Sequence, residues 1–211
     1  MPPYRLVIFD FDGTLADSLP WFRSVFDEMV ERFGLAKITA DELEAMRGLP
    51  AREVMKRMQV PAWKLPKIVS HMRAAKLAAA SSTPLFEGAA ELLAALKVSG
   101  VKTAIVSSDT EASVRAVLGE GLAAEVGHFD CGAAVFGKAA KFRRAVKLAG
   151  VGLSETLSVG DEVRDIEAAR AAGIAAAAVG WGYTFPQALE SAGPDMSFEA
   201  LADLSAFLLG G

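Results

Sequence analysis

Four stretches of the chain are short and apolar, carry Val, Ile or Ala, and stop at polar or glycine-rich turns: RLVIFD (5–10), KTAIVSS (102–108), TLSVGD (156–161) and IAAAAVG (174–180). Runs of this length without alternation fit strands buried on both faces, as in parallel sheets. Helical patterns separate them. EGAAELLAALKVSG (87–100) precedes the second stretch, with Gly100 as the expected C-cap. EASVRAVLG (111–119) follows it, KFRRAVKLAG (141–150) precedes the third, and DIEAARAAG (165–173) joins third to fourth. Strands alternating with helices predict an α/β fold built on a parallel sheet.

One region departs from the alternation. Between Ala16 and Pro84 the pattern is helical throughout. PWFRSVFDEMVERFG (20–34) places Trp21, Phe22, Val25, Phe26, Met29, Val30 and Phe33 on one face, the expected core of this region. Thr39 followed by Glu42 is a capping-box pattern. PAREVMKRM (50–58) and PAWKLPKIVSHMRAAKLAAA (61–80) continue the helical reading, with Pro50 and Pro61 marking starts. The expected organisation is a sheet-containing core over 1–15 and 85–211, with a helical insertion over 16–84.

Composition narrows the function. The chain has 211 residues, 52% of them hydrophobic and 23% charged, with a net charge of −4. That suits a packed soluble core and argues against nucleic acid as a partner. No signal-peptide pattern opens the chain, and the longest nearly apolar run, 171–182, is too short to span a bilayer. A cytoplasmic setting without membrane association is expected. The single cysteine, Cys131, is read as a packing residue, and two histidines are too few for a histidine-based metal site.

In an open parallel sheet, ligands sit beyond the carboxyl ends of the strands. The first stretch ends in Asp10-Phe11-Asp12-Gly13-Thr14, the second in Ser107-Ser108-Asp109, and the third in Gly160-Asp161-Glu162 with Asp165 four residues on. If these strands are neighbours, several carboxylates converge on one point. Such a cluster needs a cation, and an all-oxygen donor set suits Mg2+. A Mg2+ ion that keeps some of its waters commonly accompanies phosphate chemistry.

DFDGTLADS (10–18), IVSS (105–108), a lysine before a helix, and VGDEVRDIEAARAAG (159–173) together resemble the four ordered motifs of the haloacid dehalogenase superfamily. The helical insertion after the first motif resembles that of its capped phosphatases, phosphoglycolate phosphatase among them. The resemblance implies a Rossmann-like core with an inserted α-helical cap, and a Mg2+-dependent hydrolysis of a small phosphomonoester through an aspartyl phosphate. It implies Asp10 as nucleophile and Asp12 as general acid/base. Ser107 would bond the transferring phosphoryl group, with Thr14 and Ser108 beside it. Asp10, Asp161, Asp165 and the backbone carbonyl of Asp12 would form the metal site, with Asp165 in a supporting role.

The third motif departs from the family pattern: FGKAAKF (136–142) offers both Lys138 and Lys141 as the phosphate-facing cation, and Lys138, at the loop's end, is preferred. In capped relatives a loop like RGLP (47–50) faces the active site, so Arg47 is a candidate for the substrate's anionic groups, with a plain surface arginine as the alternative. A phosphomutase related to β-phosphoglucomutase is the main rival, and Thr14 leans toward phosphatase. A dehalogenase would have no use for Asp12. The partner is a small phosphate ester, and the protein is expected as a monomer or homodimer.

Overall fold

The computed structural model describes residues 3–49, 51–132 and 137–210. The expected helix start at Pro50 and the Phe136 end of the lysine motif lie outside the described residues. In chain order the elements are β1 (Leu6–Phe9), α1 (Leu19–Phe33), α2 (Ala40–Ala45), α3 (Ala51–Arg57), α4 (Leu65–Ala78), α5 (Ala89–Val98), β2 (Lys102–Ile105), α6 (Glu111–Ala123), β3 (His128–Phe129), α7 (Lys138–Ala149), β4 (Thr156–Gly160), α8 (Val163–Ala172), β5 (Ala175–Val179), α9 (Pro186–Ser191), β6 (Met196–Phe198) and α10 (Leu201–Leu209).

All four expected strands form, and the sheet carries two more at its edges. The order is β3-β2-β1-β4-β5-β6, every pair parallel. β3 has only two residues and β6 three, too short to leave a pattern in the sequence. The alternation of side chains along β1 divides the core into two layers. Val7 and Phe9 pack with Leu92, Leu93 and Leu96 of α5, Val114 of α6 and Leu204 of α10. Leu6 and Ile8 face the other way, onto Phe142 of α7 and Ile166 and Ala169 of α8. Residues 6–9 are at most 1% exposed, so β1 is sealed on both faces.

The helix ends differ slightly from expectation. α5 is capped at Ser99, with Gly100 one residue beyond donating to the Lys97 carbonyl. α6 runs on to Ala123 through a break at Gly119, where φ is 72°.

Helices α1 to α4 pack around a cluster of their own: Phe26, Met29, Val30, Leu35, Met58 and Ile68. The Thr39/Glu42 capping box forms at the start of α2. Trp21 corrects the expected stripe: it stays half-exposed outside this cluster and faces the cleft toward the sheet. The segments entering and leaving the helical region run side by side, with Ala16 paired to Leu85, Asp17 N–H donating to Pro84 O and Phe86 N–H to Leu15 O. Among the described residues, no helix is long and apolar enough to cross a membrane.

Candidate active site

The carboxyl ends of β2, β1 and β4 lie next to one another, and the residues just beyond them meet in one place. β1 closes with a tight loop in which Gly13 (φ 77°) donates to Ala16 O while Leu15 and Ala16 N–H both donate to Phe11 O. A side chain at Gly13 would collide with the Asp161 carboxylate and the Tyr183 ring. The first loop can therefore lie directly against the end of β4.

Asp10, Asp161 and Asp165 are all buried, and each offers an oxygen within 4.8 Å of the others. One lysine holds two of them, and the third is held by a hydroxyl and a backbone N–H. Lys138, the first residue of α7, sets its Nζ 2.9 Å from Asp10 Oδ2 and 2.5 Å from Asp165 Oδ1. Asp165 also caps α8, accepting from Glu162 N–H at 3.1 Å. Asp161 Oδ1 accepts from the Thr14 hydroxyl at 2.8 Å, and Oδ2 from Tyr183 N–H at 2.7 Å.

These environments separate the acids electrostatically. Burial pushes the Asp10 carboxyl up, but the Lys138 and Arg164 cations more than offset it, so Asp10 is held below the ordinary aspartate value. Asp161 is driven well above its ordinary value by burial and by Glu162, Asp10 and Asp165 around it. Burial raises Asp165 too, and lifts Glu162 to about 7. Burial opposes the charge on Lys138, yet Asp10 and Asp165 raise its pKa, so it remains an ammonium ion. Acids crowded this way are short of positive charge, and their hard oxygen donors suit a Mg2+-like cation.

Asp12 stands apart from the triad. Its carboxylate pairs with Lys76 of α4, a buried lysine that also lies 3.4 Å from Asp109 Oδ2 and 5.6 Å from the Trp21 ring centre. Burial raises the Asp12 carboxyl against the pull of Lys76. Asp12, Trp21, Arg73, Lys76, Glu162 and Arg164 are among the residues lining a cleft of about 400 Å³ between helices and sheet.

Ser107 is buried, its Oγ accepting from Asp109 N–H at 3.0 Å, and the neighbouring Ser108 carbonyl accepts from Arg73 at 3.0 Å. Lys141 is drawn elsewhere: its Nζ lies 2.7 Å from Asp130 Oδ1 and 3.2 Å from Cys131 O. Arg47 lines an adjoining cavity of about 350 Å³, with its donors engaged by Tyr183 O, Gly182 O and Glu44. Cys131 is half-buried with its thiol pushed up to about 12, chiefly by burial, so it offers no thiolate nucleophile.

Three residues in this cleft carried no sequence signal. Lys76 sits 64 positions from Asp12, inside an unremarkable helical pattern. Tyr183 hydrogen-bonds Ser18 through its hydroxyl at 3.0 Å and Asp161 through its backbone. Arg164 lies within the fourth motif, where the paired Asp161 and Asp165 drew attention away from it; it pairs with Glu162 at 2.7 Å.

A model of the haloacid dehalogenase-like hydrolase family matches residues 7–179. The chain is similar to a phosphoglycolate phosphatase of Synechococcus elongatus, with 31% identity over 201 residues that cover 95% of each protein. It is also similar to phosphoglycolate phosphatase 1 of Pseudomonas aeruginosa, at 28% identity over 95% of this chain and 78% of that one. Its fold matches the solved structure of a protein described as a predicted phosphatase from Clostridium acetobutylicum, with a TM-score of 0.84 and 99% coverage of each chain at 19% identity.

Proposed function

Because the chain belongs to the haloacid dehalogenase-like hydrolases, we propose that it hydrolyses a small phosphomonoester, phosphoglycolate-like or a sugar phosphate, with Mg2+ as cofactor. The observation that carries the reading is the buried Asp10 with Lys138 Nζ 2.9 Å from its carboxylate, beside Asp161 and Asp165. The names of the relatives support the substrate class.

Asp10 is the nucleophile. The cations beside it keep it ionised despite burial, so an oxygen lone pair is available to attack phosphorus. As the new O–P bond forms, the bond to the leaving oxygen breaks and Asp12 delivers its proton there. The raised Asp12 carboxyl suits it to hold that proton. Asp12 then takes a proton from the water that hydrolyses the aspartyl phosphate, returning Asp10 to its starting form. Lys138 offsets charge on the nucleophile and the incoming phosphate, and the Ser107 hydroxyl bonds the phosphoryl oxygens. Thr14 orients Asp161. The metal would be held by Asp10, Asp161 and the Asp12 carbonyl, with Asp165 supporting. When bound, it neutralises negative charge on the phosphoryl group. The helices of 16–84 act as a cap that closes over the substrate and excludes bulk water.

The test is initial rates on a panel of metabolite phosphates and an aryl phosphate, with Mg2+ and after exhaustive chelation. Metal-dependent release of phosphate from small monoesters is expected. Undiminished turnover without divalent metal would overturn the mechanism.

A further inference from the structure

The loop after β5 runs through Gly182 and Tyr183, and one peptide plane within it is gripped from both sides. A trans peptide directs its N–H and C=O in opposite directions. The plane between Gly182 and Tyr183 donates its N–H to Asp161 Oδ2 at 2.7 Å. Its carbonyl oxygen, on Gly182, accepts from Arg47 Nη2 at 2.9 Å. Arg47 Nε reaches the next carbonyl, on Tyr183, at 2.8 Å.

The same guanidinium lies 4.7 Å from the centre of the Phe185 ring, and its third nitrogen pairs with Glu44 at 2.5 Å. Two donors on two successive carbonyls use the planar fork that only arginine supplies. The donors that a substrate anion would need are thus committed to the loop.

Arg47 belongs to the helical region, and Asp161 to the end of β4. A side chain at Gly182 would run into Asp161 Cβ and the Gly13 carbonyl, so this loop rests directly on the carboxylate it orients. We propose that Arg47 couples closure of the cap to the aim of Asp161 through that single peptide plane. The inference rests on the reading of Asp161 as a metal ligand.

With the cap closed, the plane is fixed at both ends, and the bond to Arg47 polarises the N–H that faces Asp161. With the cap open, Arg47 withdraws and the plane is held only from the Asp161 side. Asp161 then loses a fixed orienting donor, and partners of this kind set metal affinity. Linkage makes the effect reciprocal: closure raises Mg2+ affinity, and Mg2+ favours closure by the same factor. Arg47 is a positioning residue, acting on the metal through a backbone group.

Arg73 supplies the control. It also ties cap to core, but its acceptor is the Ser108 carbonyl, on the far side of the cleft from the Tyr183 loop. The experiment is calorimetric titration of Mg2+ into metal-stripped wild-type protein, Arg47→Ala, Arg47→Lys and Arg73→Ala, each checked for its unfolding temperature. Arg47→Ala is expected to weaken Mg2+ binding about tenfold. Arg47→Lys, which keeps the charge without the fork, falls between it and wild type and serves if the alanine variant does not fold. Arg73→Ala weakens binding clearly less than Arg47→Ala, by about threefold at most, because it loosens the cap but leaves the Arg47 bond to Gly182 intact whenever the cap is closed.

Amide exchange over 43–49 gives the reciprocal reading: Mg2+ slows it in the wild-type protein and not in Arg47→Ala. Equal Mg2+ affinity in Arg47→Ala and wild type overturns the coupling, as does an equal loss in Arg73→Ala. A wild-type protein that takes up no Mg2+ overturns the metal-site reading itself, and the coupling with it.

Discussion

The sheet and the helical insertion meet at the candidate site with opposite kinds of side chain. The sheet supplies short acids: Asp10, Asp161 and Asp165 stand one or two bonds from backbone that β1, β4 and α8 fix in place. The insertion supplies long bases: Lys76, Arg73 and Arg47 reach the sheet side from helices that pack on a core of their own. Short acids on buried strands lose little freedom on folding and hold position closely. Long cations cost about 2 kcal/mol of rotamer entropy when fixed, but they tolerate displacement of the helix that carries them. Under the proposed mechanism, the chemistry that needs fixed geometry sits on the sheet, and the closing cap touches it through adaptable stems.

The comparison breaks most sharply at Asp10, the proposed nucleophile. Asp10→Ala is expected to lower kcat on the order of 10⁴-fold or more while leaving the fold intact. Steady-state rates with circular dichroism check this, and a phosphoryl adduct seen by intact mass after acid quench should vanish. Near wild-type turnover would end the covalent route.

Lys138 and Arg164 depart from the division, long bases on the core side, and Lys138 is clamped between two acids. Lys138→Ala should lose about 10²- to 10³-fold in kcat, and Lys141→Ala, whose ammonium serves Asp130, should stay within about tenfold. The reverse ranking would place the phosphate-facing cation on Lys141.

The separate cores can be told apart by stability. Phe26→Ala should cost about 3 kcal/mol within the insertion, and cap amides should exchange about 10²-fold faster while β1 and β4 keep their protection. Uniform acceleration throughout the chain would mean that the two regions unfold as one.

The mildest effect is expected at Lys76→Met, about a tenfold fall in kcat/KM with unchanged chelator sensitivity. A complete loss would put Lys76 among the groups that act on phosphorus rather than beside Asp12.

The division also explains what was legible in the sequence. Strands sealed on both faces leave uninterrupted apolar runs, so β1, β2, β4 and β5 stood out. Asp10, Asp12, Asp161 and Asp165 could be placed because each follows such a run at a fixed short distance. β3 and β6 pair along too few residues to impose a pattern. Lys76, Tyr183 and the Arg47 bonds join segments far apart in the chain, and nothing local marks them. Trp21 shares the helical periodicity of Phe26 and Met29 yet faces the cleft, because periodicity gives a face and not what lies opposite it.

The paired segments at the neck of the insertion have a mechanical consequence. Ala16 and Leu85 bind the entering and leaving segments into a ribbon two chains wide. A ribbon folds across its flat side and resists shear along its length. In the closure proposed above, the insertion would swing like a door on a single leaf hinge, along one arc. Lys76 and Arg47 both sit on that leaf, so opening would part them from Asp12 and the Tyr183 loop in the same stroke, releasing the proposed acid/base and the loop on Asp161 together.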